Sequence, residues 1–157
     1  MHEVINRLRT KKNDEGFTLI ELLVVVVIIG VLVAIAVPVY LNYRKGAADK
    51  SAQSDVRGAV SAVEQFYTDN GNTLPDSVSN TTDPKTGLVL KIGSGTSTQT
   101  ATMSDKTQLG FVNNTDGTYK LCGTNTGGSG KWYVYNSANG GSVAAAATAV
   151  ADITKCV

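Results

Sequence analysis

A single carboxylate stands at the edge of the most apolar part of the chain. Glu21 directly precedes the uncharged run 22–41, and no other Asp, Glu, Lys, Arg or His lies between Glu15 and Arg44. A carboxylate in or near hydrocarbon is costly and usually marks a function. Five residues earlier, Gly16 has no side chain, so an extended backbone there can approach another molecule closely.

Metal-binding chemistry is poorly supported by the sequence. The only histidine is His2, and the two cysteines, Cys122 and Cys156, are far apart, so no zinc-type ligand spacing occurs. Asp116 and Asp152 could contribute to a calcium site, but isolated acids are ordinarily solvated turn residues. We therefore expect no metal site.

Catalytic chemistry is also poorly supported. The glycine-rich stretch 127–130 lacks the Lys-Ser/Thr pair of a phosphate-binding loop and resembles a hairpin loop instead. No nucleophile, base and orienting group can be combined from the remaining residues. The sequence predicts no enzyme activity and no cofactor.

The apolar run has the length of a membrane span. About 20 residues, each rising about 1.5 Å, cross a hydrocarbon core roughly 30 Å thick. A buried core helix or strand is the alternative, but core elements rarely run this long without a polar residue. A cleaved signal peptide would end in small residues, whereas Pro38 and Tyr40 follow Ala36 here. We expect the run to remain in the mature protein.

The charge balance argues against one class of partner but does not decide the orientation of the apolar run. Lys and Arg total 14 and Asp and Glu total 13, a net charge of +1 that argues against a basic nucleic-acid-binding face. Four basic residues lie on each side of the apolar run within about 20 residues of it, so the positive-inside rule does not decide its orientation. Two cysteines in a long C-terminal domain suit an oxidising compartment, which predicts a cytoplasmic N-terminus and an external domain.

The segment 11–24, Lys-Lys-Asn-Asp-Glu-Gly-Phe-Thr-Leu-Ile-Glu-Leu-Leu-Val, resembles the N-terminus of type IV pilin precursors and type II secretion pseudopilins. The shared features are a short basic leader, Gly before Phe, Thr-Leu-Ile-Glu, and an apolar run that contains a proline. The close similarity covers about residues 11–45, and the C-terminal half matches only in style.

The resemblance implies a role for each matching residue. A prepilin peptidase, which is a membrane aspartic protease, would cut after Gly16, and Phe17 would become an N-methylated N-terminus. Glu21 would guide subunit assembly, and Pro38 would mark a kink or a melted segment of the helix. The implied partners are further copies in a helical filament, the peptidase, the inner-membrane assembly machinery and the membrane. The protein would be a single-pass membrane protein before assembly and then part of a cell-surface pilus.

The cysteines and the domain boundaries follow from the same interpretation. Two cysteines in an exported domain favour pairing, and pilins commonly pin the C-terminal region this way, so we predict a disulfide between Cys122 and Cys156. The predicted regions are a leader at 1–16, a membrane or filament-core helix half at 17–41, an amphipathic half at 42–70 and a β-rich head at 71–157.

Beyond Lys45 the sequence becomes periodic and predicts that the helix continues to Asp69, with Asn70-Gly71 as its stop. Apolar residues recur every three or four positions, at 48, 52, 56, 59/60, 63 and 66/67. Polar residues, among them Asp49, Asp55 and Glu64, are expected on the opposite, exposed face.

Four strands are predicted downstream, at 88–92, 109–112, 118–122 and 131–135, with the last two paired across a loop at 123–130. The stretches 73–85 and 93–107 read as polar connections. The Ala-rich stretch 142–150 is predicted as a short helix, with a last strand as the alternative. A small antiparallel sheet packed on a long N-terminal helix gives an α+β, pilin-like fold.

Two functional hypotheses of different classes follow. The first is a structural subunit of a type IV pilus-like filament, with a pseudopilin or minor pilin as the alternative. The second is a monomeric, membrane-tethered binding module. Gly16, Phe17 and Glu21 favour the first, because a simple tether has no use for a carboxylate at the edge of its span.

Overall fold

The computed structural model describes residues 16–157, so the predicted leader, apart from Gly16, lies outside the described residues. The described chain falls into two compact units that meet in sequence between Tyr40 and Leu41. One long helix, α1 (Leu19–Asp69, 51 residues), contributes to both. It begins two residues after Phe17, the predicted start, and ends at the predicted residue.

The end of α1 is fixed by its capping residues. The Asn70 side-chain amide donates to the Phe66 carbonyl (2.8 Å), and the Asn72 N–H donates to the Tyr67 carbonyl (2.9 Å). Gly71 adopts a left-handed backbone at φ 62°, which a residue without a Cβ reaches at little cost.

The first unit contains the apolar stretch of α1. Its most apolar 18-residue window has a mean hydropathy of 3.3, and 0% of that window is buried. Such a stretch is long and apolar enough to cross a membrane, although a signal sequence would satisfy the same two criteria. Since none of it is buried within the chain, it is not the core helix of a soluble domain.

The second unit combines the rest of α1 with two antiparallel sheets. The larger sheet has the order β1-β4-β5-β6-β7, and the smaller one pairs β2 with β3. The strands are β1 (Val78–Asn80), β2 (Leu88–Lys91), β3 (Thr98–Ala101), β4 (Thr107–Asn113), β5 (Tyr119–Asn125), β6 (Trp132–Asn136) and β7 (Ala144–Ala145), with a 3₁₀ turn at Pro84–Thr86. The predicted α+β, pilin-like fold is confirmed.

The core forms between one face of α1 and both sheets, since Leu88 and Leu90 of β2 and Ala101 of β3 belong to it as well. Its helix residues are Ala52, Val56, Ala59, Ala62, Val63 and Phe66. Gly123, at the centre of β5, lets the helix come close. A Cβ there would lie 2.6 Å from Leu109 Cδ2 and 2.7 Å from Val56 Cγ2. Even alanine at this position would force the Leu109 and Val56 side chains to shift.

Several sequence predictions are corrected by the fold. The stretches predicted as polar connections contain β1 and β3, because pairing with β4 and β2 extends them despite their polar composition. The Ala-rich stretch forms the two-residue strand β7 beside β6 and no helix, because β6 offers a free edge for pairing. Residues 123–125 were predicted as loop but continue β5, since each of them pairs with β4.

Candidate functional site at the start of α1 and on the head

The start of α1 is closed by a reciprocal pair of hydrogen bonds. The N–H and the hydroxyl of Thr18 both donate to Glu21 Oε2 at 2.8 Å, and the Glu21 N–H donates to Thr18 Oγ1 at 3.3 Å. This is a capping box, in which a threonine before the helix and an acid three residues later satisfy each other's free backbone donors. The carboxylate of Glu21 therefore has a local partner, Thr18.

The two described residues before the capping box, Gly16 and Phe17, are exposed. Gly16 and Phe17 are not helical, and the Phe17 side chain is 88% exposed. Among residues 16–157, apart from its chain neighbour, no heavy atom lies within 4 Å of the position that a Cβ of Gly16 would take. The described side of the bond between Gly16 and Phe17 is therefore accessible to solvent.

Pro38 lies inside α1 and removes one hydrogen bond from it. Its ring nitrogen has no proton for the carbonyl of Ala34, yet the residues on both sides remain helical. That carbonyl is a weak point of the helix, worth up to about 3 kcal/mol if no other donor reaches it. A kink or a melted segment at Pro38 stays a prediction.

The predicted disulfide is present, joining Cys122 of β5 to Cys156, with 5.6 Å between the Cα atoms. Alternation along β5 places Cys122 on the face opposite Gly123, so the bridge holds the C-terminal segment on the sheet face that α1 does not cover. Gly110 of β4 permits this packing, because a Cβ there would collide with the Ile153 carbonyl oxygen.

Two carboxylates of α1 bind loops of the head, each through the same pair of hydrogen bonds to a serine. Asp49 accepts hydrogen bonds from the N–H (2.9 Å) and the hydroxyl (2.5 Å) of Ser129. Asp55 accepts the same pair from Ser104, at 2.8 and 3.0 Å. The term serine clamps is used below for these two contacts. Each clamp joins residues far apart in sequence through charge-assisted bonds.

The serine clamps were missed by the sequence prediction, which placed Asp49 on the exposed face. Asp49 is buried, at 4% exposure, and next to it Gly128 leaves no room for a Cβ. The only signal in the sequence was the glycine-rich loop 127–130. Its composition indicates that another group approaches the loop backbone closely, but not that this group is Asp49.

A third helix carboxylate contacts the central strand. The Tyr119 hydroxyl donates to Glu64 Oε1 at 2.5 Å, and the Tyr119 ring packs against Phe111 and Tyr135 at centroid distances of 5.6 Å. Burial, followed by the hydrogen bond to Glu64, raises the pKa of the Tyr119 phenol far above its usual value. The phenol therefore remains a donor over the physiological range.

Asp116 and Asp152, the two acids that could contribute to a calcium site, instead accept hydrogen bonds within turns. Hydrogen bonds from the Thr118 hydroxyl and N–H lower the pKa of Asp116, and the equivalent bonds from Thr154 lower that of Asp152. Within residues 16–157, no three His, Cys, Asp or Glu side chains are grouped closely enough to hold a metal ion.

Comparison with known proteins places the N-terminal pattern in a recognised class. Residues 11–37 match the family model described as the prokaryotic N-terminal methylation motif. This range contains Gly16, Phe17 and Glu21 as well as most of the apolar run.

Curated relatives extend the similarity beyond this motif. The chain is 33% identical over 126 residues to the type IV major pilin protein PilE1 of Neisseria gonorrhoeae, covering 76% of this chain and 68% of that protein. It is 34% identical over 116 residues to a fimbrial protein of Pseudomonas aeruginosa, covering 72% and 69%. A fimbrial protein of Neisseria meningitidis is 36% identical over 95 residues, and there the match spans little more than half of the relative, 56%.

Proposed function

Because this chain belongs to the type IV pilin family, we propose that it is a structural, non-enzymatic subunit of a type IV pilus-like surface filament. A prepilin peptidase would remove residues 1–16 and leave Phe17 as a methylated N-terminus. The subunit would wait in the membrane with its N-terminus in the cytoplasm. Inner-membrane assembly machinery would then add it to the filament through the apolar stretch of α1.

One observation carries this proposal: the rest of the described chain, residues 16–157, does not bury the apolar stretch of α1. The side chains from Phe17 to Tyr43 are exposed, including every Val, Ile and Leu. Soluble monomers rarely expose a contiguous apolar surface of this extent. Lipid can cover it before assembly and the same stretch of other subunits afterwards, which agrees with the similarity to a type IV major pilin.

The role of Glu21 follows from the capping box and the proposed cut. In the uncut chain Thr18 satisfies the carboxylate of Glu21. Cleavage after Gly16 would create a positive amine on Phe17, next to Thr18 in the chain. The sequence places Phe17 and Glu21 one helical turn apart, but in the uncut chain Phe17 precedes the helix, so pairing within one subunit would need the helix to extend by one turn. A neighbouring subunit's amine needs no such extension, and a buried pair between subunits would set their register.

Intact-mass analysis of sheared filaments tests the processing. We expect the dominant subunit mass to begin at Phe17 with a methyl group added. A filament subunit that retains residues 1–16 would contradict the proposal. High abundance of this subunit in the filament would identify it as the major pilin, and low abundance as a minor pilin or pseudopilin.

Substitutions at the start of α1 separate a charge role from a capping role. Glu21→Gln keeps an acceptor for the capping box but removes the charge, whereas Thr18→Val removes the cap and keeps the charge. We expect both Glu21→Gln and Glu21→Ala to be cleaved and inserted yet absent from filaments, and Thr18→Val to assemble. Filaments from Glu21→Gln at the normal yield would limit Glu21 to capping. A cleaved protein that never leaves the membrane in the parent strain would favour the tethered binding module.

A further inference from the structure

A cavity of about 380 Å³ opens on the head beside the first turns of α1 that follow the apolar run. One wall is helical and includes Arg44, Lys45 and Ser51, while the other comes from the loop residues Asp105 and Lys106 with Asn125 and Gly127 nearby. All of these residues belong to the second compact unit. Three cations and one carboxylate thus line one small cavity.

The polar groups of the wall are largely fixed by other contacts. Asn125 donates from its side-chain amide to the Asp105 carbonyl (2.8 Å) and to Thr107 Oγ1 (3.1 Å). Ser104, also in the wall, is held by Asp55 in a serine clamp. The loop that carries Lys106 is therefore fixed to the rest of the head before any ligand arrives.

Two of the cations have no counter-charge. Over residues 16–157, neither the Lys45 nor the Lys106 ammonium group lies within ion-pair distance of a carboxylate. Lys106 also sits at φ 62°, where a residue with a Cβ is disfavoured, and the Thr126 N–H holds its carbonyl at 3.0 Å. Two unpaired ammonium groups at a concave site attract an anion that can replace their water.

We propose that this cavity binds the phosphate group of a phosphate ester, and that an anionic phospholipid headgroup supplies it while the subunit is in the membrane. The volume suits a phosphoglycerol group, and lysine is an effective point-charge ligand for phosphate. Arg44 and Lys45 come three and four residues after Leu41, the last residue of the apolar run. That is about 4.5–6 Å of helical rise, and a headgroup layer is about 5–7 Å thick. The lipid source rests on the proposed membrane anchor, whereas the affinity for phosphate does not.

Binding is measured on the full chain in nonionic detergent and phosphate-free buffer. One arm titrates glycerol phosphate and follows the backbone amide resonances of Ser104, Lys106 and Gly127. The other arm titrates dihexanoyl phosphatidylglycerol, with dihexanoyl phosphatidylcholine as the zwitterionic comparison. We expect saturable shifts with glycerol phosphate, and binding of phosphatidylglycerol at least about tenfold tighter than that of phosphatidylcholine.

Charge variants test whether this cavity is the site. The pair Lys45→Gln with Lys106→Gln should weaken both anionic ligands by at least about tenfold. The matched pair Lys91→Gln with Lys131→Gln removes the same charge from exposed positions outside the cavity and should change binding by less than about twofold. Asp105→Asn removes the one carboxylate and should tighten binding several-fold, a gain that a folding defect cannot produce.

Each possible result either supports or overturns the proposal. Equal losses from the two lysine pairs would overturn it, because binding would then follow net charge alone. No saturable shift with either ligand would overturn it as well. Glycerol phosphate binding without a preference for phosphatidylglycerol would keep the phosphate site and make a soluble ester the source. All of these measurements use the monomer, so they remain valid whichever way the filament test with Glu21→Gln turns out.

Discussion

The two stretches of α1, before and after the boundary at Tyr40, contain the same apolar residue types. These side chains are exposed in the first stretch and buried on one face of the second. Val33 in the first stretch is 50% exposed, whereas Val56 in the second is 0% exposed. The second stretch is apolar on one face, and the two sheets of the head cover that face. The first is apolar on every side, and no single surface can cover it. Periodicity therefore indicates burial within the chain, and its absence in an apolar helix indicates burial by lipid or by further copies.

The largest effect should come from truncating one large side chain in each stretch. Phe66→Ala removes a ring that is 1% exposed and should lower the free energy of unfolding by about 3–5 kcal/mol. Leu32→Ala, at a side chain that is 61% exposed, should change it by no more than about 0.5 kcal/mol. Urea unfolding of the full chain in nonionic detergent, followed by Trp132 fluorescence, measures both. Similar losses from the two variants would contradict the division between the stretches.

The disulfide should be the next largest contribution, and it acts only on the second unit. Replacing Cys122 and Cys156 by alanine together should cost about 3–4 kcal/mol in the chain-entropy model. The same urea experiment measures the loss, while circular dichroism should show α1 retained. The pairing itself is checked by thiol labelling of the parent under denaturing, non-reducing conditions, where two reactive thiols would refute it.

A smaller effect is expected from the buried serine clamp of α1. Asp49→Ala leaves the N–H and the hydroxyl of Ser129 without their acceptor and should cost about 2–3 kcal/mol. Asp69→Ala is the matched control. Among residues 16–157 its carboxylate accepts one exposed bond, from Gln65, and its loss should cost about 0.5 kcal/mol or less. If the two losses were equal, the clamp would not contribute to stability.

The smallest effect depends on pH. Since burial and Glu64 raise the pKa of Tyr119, the folded protein keeps a phenol proton that the unfolded chain loses above the ordinary value of 10.0. The stabilisation is complete below that pH and declines as the pH rises above it. Tyr119→Phe should therefore flatten the fall in unfolding free energy between about pH 9 and 11. A slope that stays as steep in Tyr119→Phe as in the parent would contradict this assignment.

Local patterns were sufficient for some parts of the fold and insufficient for others. The span of α1, its end at Asn70-Gly71 and the hairpin of β5 and β6 follow from hydropathy, capping and strand propensity. The strand β3 (Thr98–Ala101) does not, because its polar residues extend only through pairing with β2. The buried position of Asp49 also escaped prediction, since its partner lies 80 residues away and helix periodicity carries no information about that loop. For the N-terminal residues the resemblance supplied roles, but the capping box of Glu21 emerged only from the structure.

The bridge between Cys122 and Cys156 also has a mechanical consequence. A pull on the C-terminal end of the chain reaches β5 through the disulfide, because the bridge bypasses residues 123–155. β5 is the central strand of the larger sheet. The two cysteines are 34 residues apart in sequence, which corresponds to roughly 120 Å of fully extended chain at about 3.5 Å per residue. While the disulfide is intact, this part of the chain cannot extend under load. Pulled from its two ends, the reduced protein should extend further than the oxidised one by that amount. The covalent link thus makes the last strands of the head inextensible.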